Sequence, residues 1–163
     1  MKKSVAICGA AVSLLILASA VVTCRQAPES ARQPGIAWNL ELDAAFKQAA
    51  KLNKPLMVEF MAEWCSSCRM MEDSTFIDPA VIEKAGHFIP VRIDVDKQKD
   101  VAERYGSSAR KYGGIGIPNI LFMTGGGVKL KHRVGTMDAS ALVAVMDSVL
   151  AEVAVPRPGA AGR

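Results

Sequence analysis

The sequence has little excess charge, and this shortage bears on the kind of partner the protein can bind. The formal net charge of the 163-residue chain is +4, and two of those positive charges are Lys2 and Lys3 at the N-terminal end. Charges of both signs are mixed along the rest of the chain, and no basic run is interleaved with aromatic residues. Surfaces that bind nucleic acid need such a concentration of positive charge. We therefore expect no nucleic-acid partner.

Cysteine is also scarce. Cys8 and Cys24 lie in the N-terminal apolar region and at its end, so Cys65 and Cys68 form the one pair in the rest of the chain. A single pair does not make a disulfide-stapled scaffold, and a bridge closing so small a loop adds little stability. The pair, in the sequence EWCSSCR, is therefore either a redox-active dithiol or part of a metal site.

Histidine is too rare to complete an obvious metal site. Zinc prefers four ligands, of which the cysteine pair supplies two. His87 and His132 are the only histidines, and neither is in ligand spacing with the pair. We predict no metal and no cofactor, although a copper ion held by two sulfurs stays open as an alternative.

Residues 1–24 have the features of an export signal. Two lysines precede an almost continuously apolar run over 5–22, and Ala18-Ser19-Ala20 fits a signal-peptidase site. The run is also near the length of an uncleaved membrane anchor, and VVTC resembles a lipobox in which Cys24 would carry a lipid. We expect an extracytoplasmic location, in the bacterial periplasm, with these three forms of the N-terminus left open.

Composition divides the chain further. Residues 25–35 contain two prolines with Glu, Gln and Ser, which is typical of a flexible tether, and residues 156–163 have the composition of a disordered tail. The predicted organisation is a targeting segment or anchor over 1–24, a tether over 25–35, one folded domain over 36–155 and the tail. No internal repeat is present in the sequence.

Helical and strand-like patterns alternate within the predicted domain. Helices are predicted over 40–53, 65–74, 79–84, 99–112 (with a break at 106–108) and 138–153, and strands over 55–61, 87–95, 118–123 and 128–134. A parallel strand–helix–strand unit followed by a hairpin and a closing helix predicts an α/β fold with a mixed sheet.

Three motifs, in this order, resemble the thioredoxin family. FMAEWCSSCR (60–69) resembles its active-site turn, KYGGIGIP (111–118) its cis-proline loop, and RVG (133–135) the end of its last strand. KPLMVEF (54–60) and STFIDPAV (74–81) are further similar to the C-terminal thioredoxin-like periplasmic domain of DsbD-type thiol:disulfide interchange proteins. The resemblance implies a thioredoxin fold: a central mixed β-sheet flanked by helices, with the cis-proline loop beside the N-terminus of the CxxC helix.

The resemblance implies a thiol:disulfide oxidoreductase, which we expect to act as a protein-disulfide reductase. Its partners would be exported protein thiols and disulfides or apocytochromes, with electrons from a membrane thiol donor, and we expect a monomer. The dipeptide between the cysteines, Ser66-Ser67, does not fix the direction of electron flow. A disulfide oxidase or isomerase, or a non-catalytic copper- or zinc-binding module, therefore remains an alternative.

The two cysteines have different predicted roles. Cys65 would lie at the first turn of a helix, whose N–H groups and partial positive charge stabilise a thiolate, so it is the predicted nucleophile. Cys68 lies one turn deeper and is the predicted resolving thiol, which attacks the mixed disulfide.

Two acids are candidates for proton transfer and pKa tuning. Glu59 lies in an apolar strand, and the resemblance implies that it is the buried acid, usually Asp, that exchanges a proton with Cys68. The alternative is that Glu59 pairs with a lysine or faces solvent at a sheet edge. Glu72 lies one turn after Cys68 and would tune the cysteine pKa, or else is a solvated residue on the helix surface.

Three residues are candidates for substrate binding. Pro118 is predicted to follow a cis peptide bond and, in the family, faces the CxxC turn. The backbone of Ile117 would pair with an extended substrate segment, as an added strand does. Trp64 precedes Cys65 and would cover the site, or else has only a packing role. Asn119 stands where the family usually has Thr.

Overall fold

The structure, a computed structural model, describes residues 35–155. The predicted targeting segment with Cys24, nearly all of the predicted tether and the predicted tail lie outside the described residues. Within them, the helices and strands follow the predicted order. They are α1 (Leu42–Leu52), β1 (Leu56–Met61), α2 (Ser66–Asp73), α3 (Pro79–Ala85), β2 (Ile89–Asp94), α4 (Lys99–Arg104), a 3-10 turn (Arg110–Tyr112), β3 (Asn119–Met123), β4 (Lys129–Val134) and α5 (Ala139–Ala154).

The four strands form one mixed sheet in the order β2-β1-β3-β4. Strand β1 runs parallel to β2, with Val58 opposite Val91, and antiparallel to β3, with Val58 opposite Leu121. Strands β3 and β4 pair as an antiparallel hairpin. The predicted mixed sheet, with a parallel crossover followed by a hairpin, is confirmed.

Both faces of β1 are buried, which explains its nearly continuous apolar sequence. Leu56, Val58 and Phe60 point to one face and belong to the same apolar cluster as residues of α1. Met57 points to the other face, where it packs with residues of α3 and α5. Glu59 is the one charged residue of β1 and follows Met57 in the side-chain alternation.

Side-chain caps begin two helices at predicted positions. Oδ1 of Asp78 accepts a hydrogen bond from the backbone N–H of Ala80 (2.8 Å) at the start of α3. Oδ1 of Asp138 accepts one from Ala141 (2.8 Å) at the start of α5. Such caps satisfy backbone donors that have no partner inside the helix.

The helical stretch predicted over 99–112 is interrupted at the predicted break over 106–108, and the part after the break is a short 3-10 turn rather than an α-helix. Helix α4 ends at Arg104, and Gly106 has a φ of 67°, in the left-handed region where a glycine commonly ends a helix. The chain then runs through residues 107–109 before the 3-10 turn. Among residues 35–155, no helix has the length and apolarity to cross a membrane.

Candidate active site

The cysteine pair lies at the start of α2, as predicted. After β1 the chain turns, with Cys65 N–H donating to the carbonyl of Ala62 (3.0 Å), and Cys65 becomes the N-cap of α2. A disulfide bond joins Cys65 to Cys68, and the backbone N–H of Cys68 donates to Cys65 Sγ (3.1 Å). Cys65 is 5% exposed and Cys68 is fully buried. The Sγ atom of Cys65 thus lies at the positive end of the helix with an N–H donor directed at it, an environment that stabilises a thiolate once the bond is reduced.

Glu59 is fully buried in an interior strand, so the alternative of a solvent-facing residue at a sheet edge is wrong. It does form an ion pair, but with an arginine rather than a lysine: Arg92 Nε donates to Glu59 Oε2 (2.7 Å). The other oxygen, Oε1, has no hydrogen-bond partner, and neither cysteine bonds to this carboxyl. Burial raises the pKa of Glu59 to about 7, although Arg92 acts against this rise. A carboxyl with this pKa can both accept and release a proton near neutral pH.

Arg92 joins both predicted acids, and the sequence patterns did not identify it. Its Nη1 lies 3.0 Å from Oε1 of Glu72, while its Nε holds Glu59. The guanidinium carbon lies 4.5 Å from the centroid of the Trp38 ring, and such stacking on an aromatic face is favourable for a cation. Arg92 therefore links the buried acid of β1 to Glu72, which follows Cys68 by one helical turn.

Glu72 is partly exposed, with 31% of its side chain accessible. It makes no hydrogen bond to the cysteine pair and forms an ion pair with Arg92. Its negative charge helps to raise the pKa of Glu59, as the smallest of the causes that act on that carboxyl. The structure therefore places Glu72 where it influences Glu59 through charge.

Trp64 is 46% exposed and is held by a cluster that the sequence analysis missed. Its Nε1 donates to Asp96 Oδ2 (2.6 Å), and the hydroxyl of Tyr112 donates to Asp96 Oδ1 (2.5 Å). These hydrogen bonds, chiefly the one from Tyr112, lower the pKa of Asp96. Lys111 Nζ lies 3.8 Å from the centroid of the Trp64 ring. Trp64 is thereby tied to the loop that leads to Ile117.

The Ile117–Pro118 peptide bond is cis, as predicted. Ile117 is half-buried and packs against the large apolar cluster of which Cys65 and Cys68 are members. Pro118 is buried, and its carbonyl accepts a hydrogen bond from the backbone N–H of Gly135 (2.8 Å). This bond ties the loop to the end of β4.

The metal-binding alternative would need further ligands beside the cysteine pair. In the part of the chain that the structure describes, no three His, Cys, Asp or Glu side chains come together in a way that could hold a metal ion. His132 instead contacts the side chain of Asn119.

Comparison with known sequences gives a consistent family. A family model described as "Thioredoxin-like" matches residues 37–125, more than half of the chain. The thiol:disulfide interchange protein DsbD of Klebsiella pneumoniae is 31% identical over 149 residues, which cover 82% of this chain and 24% of that protein. A thioredoxin of Pseudomonas aeruginosa is 28% identical over 107 residues, which cover 65% of this chain and 90% of that protein. The chain thus spans about a quarter or less of the DsbD proteins it matches.

Solved structures show the same fold. The C-terminal domain of DsbD from Neisseria meningitidis, in its oxidised form, superposes with a TM-score of 0.55 at 24% identity, covering 69% of this chain and 98% of that domain. A thioredoxin from Thermus thermophilus superposes with a TM-score of 0.60 at 20% identity, covering 74% of this chain and 91% of that one. At these identities the likeness concerns the fold alone.

Proposed function

The chain belongs to the thioredoxin-like family of thiol:disulfide oxidoreductases, and from that premise we propose that it reduces disulfide bonds of exported proteins through Cys65 and Cys68. The observation that carries this proposal is the disulfide at the start of α2, with the less buried sulfur capping the helix. The predicted fold and family resemblance are confirmed. The direction of electron flow, the partners and the location belong to this proposal.

The proposed reaction begins with the reduced dithiol. The Cys65 thiolate attacks one sulfur of the substrate disulfide, which forms a mixed disulfide and releases the first substrate sulfur as a thiolate. Cys68 then loses its proton and attacks Cys65 Sγ, which re-forms the Cys65–Cys68 bond and releases the second substrate sulfur. Two electrons pass to the substrate, and the protein is left in the disulfide form described above. A membrane thiol donor would return it to the dithiol.

Glu59 is the proposed acceptor of the Cys68 proton. Its Oε1 has no hydrogen-bond partner, and burial raises its pKa to about 7, so the carboxylate and the carboxylic acid are both accessible near neutral pH. Arg92 would hold the carboxyl in place through Oε2 and leave Oε1 for the proton. Glu72 would influence this step through Arg92 rather than by contact with a cysteine.

The backbone of Ile117 is the proposed docking point for an extended substrate segment. Such a segment would bond to the main chain as an added strand does, with its disulfide over Cys65. Trp64, exposed beside Cys65, would contribute an aromatic surface to the same segment.

The proposed location is extracytoplasmic, in the bacterial periplasm. The lysine pair and the apolar run over residues 5–22 support export, whether the segment is cleaved, retained as an anchor or replaced by a lipid on Cys24. Exported proteins with disulfides or apocytochromes are the proposed substrates, and the protein would act as a monomer.

Reduction of insulin disulfides by the full chain, kept in mild detergent with dithiothreitol as donor, tests the activity. We expect reduction that disappears in Cys65→Ser. We also expect Cys68→Ser to accumulate a mixed disulfide with the substrate, whereas accumulation only in Cys65→Ser would reverse the two roles.

The reduction potential of the pair tests the direction. A value near that of thioredoxin, about −270 mV, supports a reductant, and one near about −120 mV indicates disulfide formation instead. Absence of any reversible redox transition, with stoichiometric copper or zinc uptake, would contradict the proposal in favour of a metal-binding module.

A further inference from the structure

A buried amide beside the substrate loop makes an unusually complete set of hydrogen bonds. Asn119, the first residue of β3, has no exposed surface. Its Nδ2 donates to the backbone carbonyl oxygens of Gly116 (2.7 Å) and Ser107 (3.0 Å). Its Oδ1 lies 2.9 Å from Nε2 of His132 on β4. Both hydrogens of the amide and its oxygen are therefore engaged.

The two carbonyls fix the orientation of this amide. A carbonyl oxygen only accepts hydrogen bonds, so the nitrogen of Asn119 must face Gly116 and Ser107, and its oxygen must face His132. It follows that Nε2 of His132, on β4, donates a hydrogen bond to Oδ1 of Asn119.

The same amide joins two stretches of backbone that lie side by side. Gly116 N–H donates to the carbonyl of Ser108 (3.1 Å), and a Cβ atom at Gly114 would overlap that carbonyl. Ser107 and Gly116 are both buried, so without Asn119 each would retain a buried carbonyl with one fewer donor. Asn119 thus fastens Gly116, the residue directly before Ile117, to the strand that follows.

We propose that Asn119 is a positioning residue for substrate docking, which fixes the backbone of Ile117 through its hydrogen bonds to Gly116 and Ser107. This inference rests on the proposed function, because it assigns a purpose to the geometry of the same loop. Asn119 touches neither the substrate nor the reacting sulfurs. Its loss therefore weakens the docking of a peptide segment more than the chemistry at Cys65.

Position 119 needs a side chain with two hydrogen-bond donors, because two backbone carbonyl oxygens face it. A threonine hydroxyl has one hydrogen and can donate to one of the two carbonyl oxygens. An aspartate carboxylate has no hydrogen to donate and would place its own oxygens against both carbonyl oxygens, and alanine donates to neither. Asn119→Thr should therefore retain part of the function that Asn119→Ala and Asn119→Asp lose.

The test compares a protein substrate with a small disulfide, using the full chain in detergent. Insulin reduction gives kcat and KM. With Cys8→Ser and Cys24→Ser in every protein compared, reaction of the reduced protein with 5,5′-dithiobis(2-nitrobenzoate), which has no peptide backbone, reports on the Cys65–Cys68 dithiol alone. For Asn119→Ala we expect KM for insulin to rise about tenfold, as for a buried hydrogen-bonding group left unpaired, with kcat and the small-disulfide rate within about twofold. The KM of Asn119→Thr should lie between those of the wild type and Asn119→Ala. Lys131→Ala, a control on the same strand as His132, should have the KM of the wild type.

Amide hydrogen exchange gives a readout that is independent of activity. In Asn119→Ala, exchange of the Gly116 amide should accelerate about tenfold or more, because its loop has lost the attachment to β3, while the Val95 amide, bonded to Met61, should be unchanged. If the wild type is active but Asn119→Ala leaves both the KM for insulin and the exchange rate of the Gly116 amide unchanged, the docking role of Asn119 is overturned and the proposed function stands. Equal losses with insulin and the small disulfide would also overturn the docking role. A wild type that reduces neither substrate would instead overturn the proposed function, and the docking role with it.

Discussion

Replacement of Glu59 by glutamine should change how the stability of the protein depends on pH. Burial raises the pKa of Glu59 from 4.5 to about 7. The folded protein therefore holds this proton between those pH values, whereas the unfolded chain releases it. The stabilising contribution is fully present below pH 4.5 and is lost as the pH rises through about 7. Glutamine keeps the size of the side chain and an oxygen for Arg92, and it does not titrate.

The size of the effect follows from the shift. A rise of about 2.5 pH units at about 1.4 kcal/mol per unit corresponds to about 3 kcal/mol. We therefore expect the free energy of unfolding of the wild type to fall by about 3 kcal/mol more than that of Glu59→Gln between about pH 4.5 and pH 8.5.

Urea unfolding across this pH range measures the difference. The disulfide form is the right sample, because bonded cysteines do not titrate and the remaining groups are common to both proteins. Glu63→Gln is a matched control, since the Glu63 side chain is 75% exposed and the same chemical change there should leave the pH dependence unchanged. Parallel curves for wild type and Glu59→Gln would refute the raised pKa. If the pKa is raised and Glu59 accepts the Cys68 proton, the same variant should also slow disulfide exchange and remove an inflection near pH 7 from its rate.

Three further changes test the surroundings of the site. Arg92→Leu removes the group that lowers the pKa of Glu59, so the inflection in the exchange rate should move above about pH 7; an unmoved inflection would contradict the ion pair's influence. Asp96→Ala removes the acceptor of the Trp64 indole N–H, so quenching of tryptophan fluorescence by acrylamide should increase, and unchanged quenching would show that the ring is held by other contacts. Asp138→Ala should lower the free energy of unfolding by about 1 kcal/mol in urea titrations, the usual loss for a helix cap, and no loss would contradict the capping role.

Local patterns were sufficient for the order of the elements and the position of the cysteine pair. The apolar run of β1, a glycine turn after β3 and the caps at Asp78 and Asp138 each act over a few residues, so the sequence displays them directly. The break at 106–108 that ends α4 was also visible in the sequence, but the 3-10 turn after it was not. The carbonyl oxygens of Ser107 and Ser108 accept hydrogen bonds from the side chain of Asn119 and the backbone N–H of Gly116, and the local composition does not reveal these contacts.

Arg92, Asp96 and His132 could not be identified from the sequence for one physical reason. Each acts through a contact between strands or loops that the sequence does not specify. Arg92 faces Glu59 because β1 and β2 align in a particular register, and a slip of one residue would turn Arg92 to the other face of the sheet. Asp96 reaches Trp64 only because the loops after β1 and β2 leave the same edge of the sheet. His132 reaches Asn119 through the register of the β3–β4 pair.

The energetics of Glu59 argue for a function rather than a structural purpose. A buried residue that stabilised only the fold would do so over the whole neutral and alkaline range, as the apolar neighbours Val58 and Phe60 do. Glu59 instead weakens the fold as the pH rises through about 7, and Arg92 only partly offsets the burial. One carboxyl oxygen remains without a partner, although a second donor would have reduced the penalty. A buried acid that is costly at neutral pH, held at one oxygen and without a partner at the other, is consistent with the proposed role of Glu59 as acceptor of the Cys68 proton.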